Sequence, residues 1–147
     1  MSNDNKRFFI KGEFIMNTYI NTNNQTTDTG RINNIRRGMV ILCHIPSTSY
    51  DPHQHSGNHY YVVVANNSAC KSSPTIQAIP FSSKEKRNLP CHAEITSRCM
   101  PKTGYALAEQ LTLIPKRLLQ SGKYCGMLED DQMQLVDDVM RIQLAIA

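Results

Sequence analysis

Three histidines lie within one short stretch of the chain, at positions 53, 55 and 59. Imidazole changes its protonation state between about pH 5 and 8, so histidines can act as general acid and general base near neutral pH. The spacing of His53, His55 and His59 also suggests a metal site. Asp51 is the only acidic residue nearby, however, and loop histidines without a cysteine or a carboxylate pair are usually just solvated. We therefore predict no metal and no cofactor.

A short basic segment follows Ser82 and contains Lys84, Lys86 and Arg87. Such side chains can bind the phosphates of a nucleic acid, and the alternative is an ordinary solvated loop. The chain has 16 Lys and Arg against 12 Asp and Glu, a formal net charge of +4. This mild excess permits nucleic-acid binding without proving it, because a binding surface needs the charges clustered on one face.

The cysteines are odd in number and widely spaced, with no Cys-x-x-Cys pair, which argues against a zinc ribbon. They are Cys43, Cys70, Cys91, Cys99 and Cys125. We predict free thiols in a reducing cytosol, with Cys43 as a core residue. Lys11 and Glu13 interrupt the apolar N-terminal segment, and no run of eighteen apolar residues occurs. The sequence therefore predicts a cytoplasmic protein without a membrane segment.

The chain of 147 residues suits one compact domain. Residues 17–34 are dominated by Asn and Thr, and such a stretch buries too little apolar surface to offset its ordering entropy. We predict a disordered or loosely attached arm over residues 1–35 and a folded domain over residues 36–147.

The predicted domain contains short strands at regular spacing. The apolar run Met39–Ile45, which follows Gly38, is typical of a buried strand, and the loop after it carries the histidines. The remaining strands are predicted at Tyr60–Ala65, Thr75–Phe81, His92–Ile95, Tyr105–Ala108, Gln110–Ile114 and Tyr124–Leu128, with one helical turn at Lys116–Leu119. This pattern indicates a small closed or half-open barrel.

The C-terminus changes to a helical period. Met133, Val136 and Met140 recur on one face, and a second apolar flank adjoins it, composed of Leu135, Val139, Ile142 and Ile146. Asp130 and Asp131 occupy the first turn, where the helix dipole favours negative charge. We predict one long amphipathic helix that packs on the barrel with its methionine stripe in the core.

Several ordered blocks over residues 36–147 resemble the MazF/PemK family of toxin ribonucleases. The blocks are Arg37-Gly38 before an apolar strand, Gly57-Asn58-His59-Tyr60 before a valine run, Asn66-Asn67, Ser73-Pro74-Thr75, Pro80–Lys84, Leu89-Pro90-Cys91-His92, Leu107-Ala108-Glu109-Gln110 and Leu128-Glu129-Asp130. Each block is weak alone, and their order and spacing carry the resemblance. It implies a small SH3-like barrel of the CcdB/PemK type with a long C-terminal helix. It also implies a homodimer, metal-independent cleavage of single-stranded RNA and inhibition by a cognate antitoxin.

The resemblance also implies a site. The signature hydroxyl of the family corresponds to Ser82, and its signature arginine corresponds to His59. A histidine lacks the permanent charge and planar fork of arginine, but it can move protons. The hypothesis is that His59, with His53 or His55, supplies the acid and the base while Ser82 holds the scissile phosphate.

Other residues are predicted to bind the RNA. Lys84, Lys86 and Arg87 would contact phosphates, Gln110 a base edge, and Tyr60 would stack on a base. Tyr60 and Tyr61 alternate faces, so one of them should be buried. Tyr60 also replaces the proline usual in the family. Glu109 is expected to be a structural hydrogen-bonding residue.

Three rival functions stay open at this point. The first is a catalytically impaired relative that still binds RNA or an antitoxin. The second is a CcdB-like gyrase-binding toxin, and the third is a plain nucleic-acid-binding barrel for RNA or DNA. The Ser73-Pro74-Thr75 block and the turn of residues 82–84 favour the nuclease.

Overall fold

The computed structural model describes residues 6–10, 13–18, 30–47, 56–84 and 89–147, with the backbone alone for the first two ranges. Nine strands, three helices and one 3-10 turn occur in these residues. The strands are β1 (Lys6–Ile10), β2 (Glu13–Thr18), β3 (Met39–Ile45), β4 (Gly57–Val63), β5 (Thr75–Ser82), β6 (His92–Ile95), β7 (Gly104–Leu107), β8 (Thr112–Pro115) and β9 (Lys123–Met127). The helices are α1 (Asn67–Ser72), α2 (Lys116–Gln120) and α3 (Asp130–Leu144), and the 3-10 turn is Ala108–Gln110.

The segment before residue 36 contains structure for which the sequence pattern predicted none. Strands β1 and β2 pair with each other in an antiparallel two-stranded sheet. Ile32 and Ile35 are buried in the core, and the backbone N–H of Ile32 donates to the Gln120 carbonyl at 2.8 Å. Apolar side chains on both sides of residue 36 thus share one core. The division into an arm of residues 1–35 and a domain of residues 36–147 stays a prediction.

The remaining strands form one seven-stranded sheet. Six of them follow the order β6-β7-β5-β4-β3-β9, and β8 lies off this path and pairs with β5. Strand β5 organises it, because β8 pairs with its first half, β4 with its middle and β7 with its last two residues. All these pairings are antiparallel. The mainly β, barrel-type sheet with a C-terminal helix is therefore confirmed.

The centre of the sheet is buried on both faces. In β3, Val40 belongs to one apolar cluster, and its neighbours Met39 and Ile41 belong to another. Side chains alternate between the faces of a strand, so the continuous apolar run of β3 is the pattern expected of a strand covered on both sides. The first cluster includes Val136 and Val139 of α3, and the second includes Leu119 of α2.

The C-terminal helix packs on the core through the predicted face, and its second apolar flank is only partly buried. Val136 and Val139 are buried, and Met133 and Met140 pack against the first cluster, which confirms the methionine stripe as core. In the second apolar flank Val139 is buried, whereas Leu135 and Ile142 are 39% and 55% exposed. One straight helix can turn only part of its surface towards a single core. Within the described part of the chain, no helix combines the length and apolar character needed to cross a membrane.

Two short elements replace predicted loop or strand. No helix was predicted after the strand at Tyr60–Ala65, but the Asn66 side chain accepts from the Ala69 N–H at 2.8 Å and caps α1. Residues 108–110 form a 3-10 turn, so the strand predicted at Gln110–Ile114 begins two residues later, at Thr112. Helical elements of one or two turns are too short to show apolar periodicity in the sequence.

Candidate active site

Strand pairing places polar residues in a row across four strands. Tyr61 pairs with Pro80, Val62 with Ile79 and Val63 with Ala78, where the ladder of β4 and β5 ends. His59 and Ser82 each lie two residues beyond the Tyr61–Pro80 pair, so an extension of this register would set them opposite each other. Ser82 pairs with Tyr105, and Tyr105 pairs with Glu94. We refer to His59, Ser82, Tyr105 and Glu94 as the polar row. Two residues that are remote in sequence and predicted to act together therefore belong to one line of the sheet.

The polar row lies on one face of the sheet. His59 alternates with Tyr61 and Val63, and its face is therefore that of the second apolar cluster. Glu94 lies between Ala93 and Ile95, which belong to the first cluster, so Glu94 faces away from that cluster. The row thus extends the face of the second cluster beyond the packed core. Its side chains are half-buried or exposed, as a substrate-binding surface requires.

His59 is held by its own strand and the residues just before it. Its Nε2 lies 2.8 Å from the Ser56 carbonyl oxygen. A carbonyl oxygen only accepts hydrogen bonds, so Nε2 carries the proton of the neutral ring and Nδ1 carries the lone pair. The ring also meets Tyr61 edge to face, with centroids 6.5 Å apart and planes at 86°. Both contacts hold the imidazole in this orientation.

Ser82 is held by a turn that its own hydroxyl closes. The hydroxyl accepts from the Lys84 backbone N–H at 3.2 Å and donates to the Lys84 carbonyl at 3.1 Å. The Lys84 side chain is exposed. A hydroxyl and a cation therefore lie within one turn at the end of β5, an arrangement that suits a phosphate.

A cavity of about 300 Å³ adjoins the polar row. Tyr61 and Pro80 line it, and they form the last recorded pair of β4 and β5 before His59 and Ser82. Gln110 lines the same cavity from the 3-10 turn. Burial, and next the neighbouring Cys43 thiol, raise the pKa of Tyr61 to about 12, so its hydroxyl stays protonated. The cavity gives a planar ligand an apolar wall with polar groups at its rim.

Not every predicted site residue joins this surface. Tyr60 is half-buried on the opposite face, where it packs against the first apolar cluster. Tyr61 is the buried member of the pair, at 1% exposure, as the alternation of faces required. His53, His55, Lys86 and Arg87 lie outside the described residues. Gln110 therefore lines the cavity, and Lys84 shares a turn with Ser82. Tyr60 lies on the other face.

A second polar group lies near the cavity and was not predicted as a unit. His92 Nε2 lies 2.7 Å from Glu109 Oε1, and the Cys91 thiol donates to Glu109 Oε2 at 3.6 Å. The expectation that Glu109 is a structural hydrogen-bonding residue is confirmed. Burial, and next the charge of Glu109, raise the pKa of the Cys91 thiol. All five cysteines are free thiols, also as predicted. The family-like blocks at residues 89–92 and 107–110 contain all three residues, but sequence alone does not show that they touch.

Known proteins share this fold. Structures similar to the chain include an endoribonuclease in complex with its cognate antitoxin from a mycobacterial species, at 21% identity, TM-score 0.62 and coverage of 77% of this chain and 97% of that one. MazF from Deinococcus radiodurans matches at 14% identity, TM-score 0.63 and coverage of 77% and 98%. The MazE–MazF structure from the same organism matches at 14% identity, TM-score 0.63 and coverage of 78% and 100%. No curated protein matches significantly.

The sequence also matches a family description over most of its length. The description is that of the PemK-like, MazF-like toxin of type II toxin–antitoxin systems, and the match covers residues 36–144. This range contains the whole seven-stranded sheet and all three helices. The chain therefore belongs to the PemK-like, MazF-like family of type II toxins.

Proposed function

We propose that this toxin is a metal-independent endoribonuclease that cuts single-stranded RNA in the cytoplasm and that a cognate antitoxin neutralises. Membership of the toxin family supports the role in a toxin–antitoxin pair. Two of the similar structures are described as endoribonucleases, and one of these contains its antitoxin. The single observation that supports the catalytic proposal is that His59 and Ser82 each lie two residues beyond the Tyr61–Pro80 pair, and that this pair lines the cavity.

The proposed reaction needs few groups. A base removes the proton of the ribose 2′-hydroxyl, the 2′-oxygen attacks phosphorus, and the bond from phosphorus to the 5′-oxygen breaks as an acid protonates that oxygen. His59 Nδ1 carries the lone pair for the first step, and His53 or His55 supplies the partner acid. The Ser82 hydroxyl turns its proton from the Lys84 carbonyl to the phosphate, holds the phosphate and donates to the charge that develops on it.

Substrate binding is proposed to use the groups around this row. Lys84, with Lys86 and Arg87 further along, contacts the RNA phosphates. Gln110 reads a base edge from the rim of the cavity, where its amide offers both a donor and an acceptor. Tyr60 remains a proposed stacking residue, and its position on the opposite face requires the RNA strand to pass around the end of β4 that begins at Gly57. Two copies of the chain form a homodimer in this proposal.

A second candidate is a catalytically impaired relative that binds RNA or antitoxin. The observation that favours it is at His59, which takes the position of the family arginine and donates through Nε2 to the Ser56 carbonyl. Arginine would bring a permanent charge and two parallel donors to the phosphate, and a neutral histidine brings neither. Cleavage activity decides between the two candidates.

The test is incubation of the purified chain with a long single-stranded RNA in EDTA. We expect discrete cuts with 2′,3′-cyclic phosphate ends, and a loss of rate of about 10²–10⁴-fold in His59→Ala. Ser82→Ala should lower the rate by a comparable factor, because it removes a donor to the developing charge. The matched controls are His44→Ala, whose exposed ring bonds Asn58 on the neighbouring strand, and Ser83→Ala, an exposed serine beside the site. Both controls should cut normally.

Other results would decide against the nuclease. RNA binding without cuts in the wild-type chain would favour the impaired relative, and cleavage that needs a divalent cation would contradict the proposed chemistry. Equal losses in His44→Ala and His59→Ala would show that folding, rather than catalysis, is disturbed. If a short reading frame adjoins the gene, co-expression with its product tests the antitoxin, and light scattering tests the homodimer.

A further inference from the structure

Three side chains with different metal-binding atoms meet beside the cavity. The thiol of Cys91, an imidazole nitrogen of His92 and a carboxylate oxygen of Glu109 all lie within 4.8 Å of one another. We refer to these residues as the Cys91 cluster. No other group of three such residues occurs in the ranges that the structure describes. We infer that the Cys91 cluster binds a Zn²⁺-class cation.

The choice of ion follows from the donor set. Thiolate and imidazole are the ligands that Zn²⁺ and Co²⁺ prefer, whereas Mg²⁺ and Ca²⁺ prefer oxygen ligands alone. Bonds of 2.0–2.3 Å in a tetrahedron separate two ligand atoms by roughly 3.3–3.8 Å. Glu109 already lies 2.7 Å from His92 Nε2 and 3.6 Å from Cys91 Sγ. Small side-chain shifts therefore bring the three atoms to the distances that an ion requires.

The surroundings provide both a closed side and an open side. The His92 side chain is 5% exposed, and Cys91 is buried, so most water is excluded from two of the ligands. The Glu109 side chain is 26% exposed and lines the cavity. Three protein ligands leave one tetrahedral position, which faces the cavity and takes a water molecule. The ion can enter by the same route.

The protons that must leave Cys91 and move on His92 when an ion binds predict an exchangeable ion rather than a permanent one. The Cys91 thiol and His92 Nε2 both lie within hydrogen-bond distance of Glu109, on the side where an ion would bind. Binding releases the thiol proton to water and moves the imidazole proton from Nε2 to Nδ1. His92 Nδ1 is buried and has no hydrogen-bond partner among the described residues. A buried N–H without an acceptor lowers the affinity, so the site should be weaker than a closed zinc site.

The inference does not depend on RNA cleavage, so its test uses no RNA. The purified full chain, stripped with a chelator, is titrated with Co²⁺ while the thiolate-to-cobalt absorption band is recorded. We expect a saturable band at one ion per chain that Zn²⁺ displaces. Cys91→Ser should lose the band, and Glu109→Gln should weaken binding by at least tenfold. Cys125→Ser, which alters a half-buried cysteine outside the cluster, should keep it.

Two outcomes overturn the inference. One is the absence of a saturable band in the wild-type chain. The other is a band that survives Cys91→Ser or disappears in Cys125→Ser, because the ion would then be held elsewhere. Circular dichroism verifies the fold of each variant, and Glu109→Gln still tests the site if Cys91→Ser does not fold. Cleavage of RNA in EDTA with no cobalt band would refute the metal site alone, and a band without cleavage would refute the nuclease alone.

Discussion

The polar row and the Cys91 cluster are built in opposite ways. The row joins residues from four strands, is accessible at the end of a sheet face, and depends on backbone register for its geometry. The cluster joins the start of β6 to the 3-10 turn and is largely buried, and Glu109 bonds both Cys91 and His92. An accessible group can change without loss of the fold, whereas buried polar groups depend on one another for their hydrogen bonds. The difference predicts that the row determines activity and the cluster contributes to stability.

The largest expected effect in this comparison is on the pH dependence of cleavage. His59→Arg restores the permanent charge at that position but removes the group that moves a proton. We expect the cleavage rate at pH 7 to fall by about 10²–10⁴-fold and its dependence on pH between 5 and 8 to flatten. Initial rates measured across this range test the prediction, with His44→Arg as the matched control. An unchanged pH profile would place the titrating group elsewhere. It would contradict the claim that the polar row determines activity.

An intermediate effect is expected on folding stability at the cluster. Glu109→Ala leaves the buried His92 ring and the Cys91 thiol without their shared acceptor, which should cost about 1–3 kcal/mol. Glu94→Ala removes an exposed carboxylate of the polar row and should change the free energy of unfolding by less than about 0.5 kcal/mol. Urea denaturation of the metal-free chain measures both. Equal losses in the two variants would contradict the assignment of stability to the cluster.

The smallest effect concerns Glu129, which belongs to neither region. It serves as a reference for how low pH destabilises the fold outside the polar row and the Cys91 cluster. Hydrogen bonds, chiefly from the Ser97 side chain, lower the pKa of Glu129 from 4.5 to about 2. Because the folded-state pKa is depressed, its charge stabilises the fold above pH 4.5, and this contribution is lost as the pH falls towards 2. Glu129→Gln should cost about 0.5–1 kcal/mol at pH 7 and almost nothing at pH 2. Melting temperatures at both pH values measure this difference, and a loss that persists at low pH would contradict the assigned cause.

Much of the fold could be predicted from local pattern. The apolar run of β3 and the Val-rich β4 are strands, and α3 is one helix whose methionines pack on the core. Predicted ends shifted by up to three residues, as at β4, which starts at Gly57 rather than Tyr60. Helix α1 and the 3-10 turn were missed, because elements of one or two turns depend on a cap or a neighbour rather than on periodicity.

The candidate site was predictable as a list of residues but not as an arrangement. The blocks around His59 and Ser82 are visible in the sequence, and the register that aligns them is a property of the sheet. Tyr60 was predicted beside them, but alternation along β4 takes it to the other face. Tyr105 and Glu94 join the row only because β6 and β7 pair there.

By itself, the sequence determined the family, the strand-rich core and the C-terminal helix, because these depend on the order of blocks and on apolar periodicity within each segment. The tertiary structure decided which polar residues meet. It set His59 and Ser82 beyond the same end of the β4–β5 ladder and closed Cys91 and His92, at the start of β6, around Glu109 of the 3-10 turn. The physical reason is that residues far apart in sequence become neighbours only through the register and packing of the whole sheet.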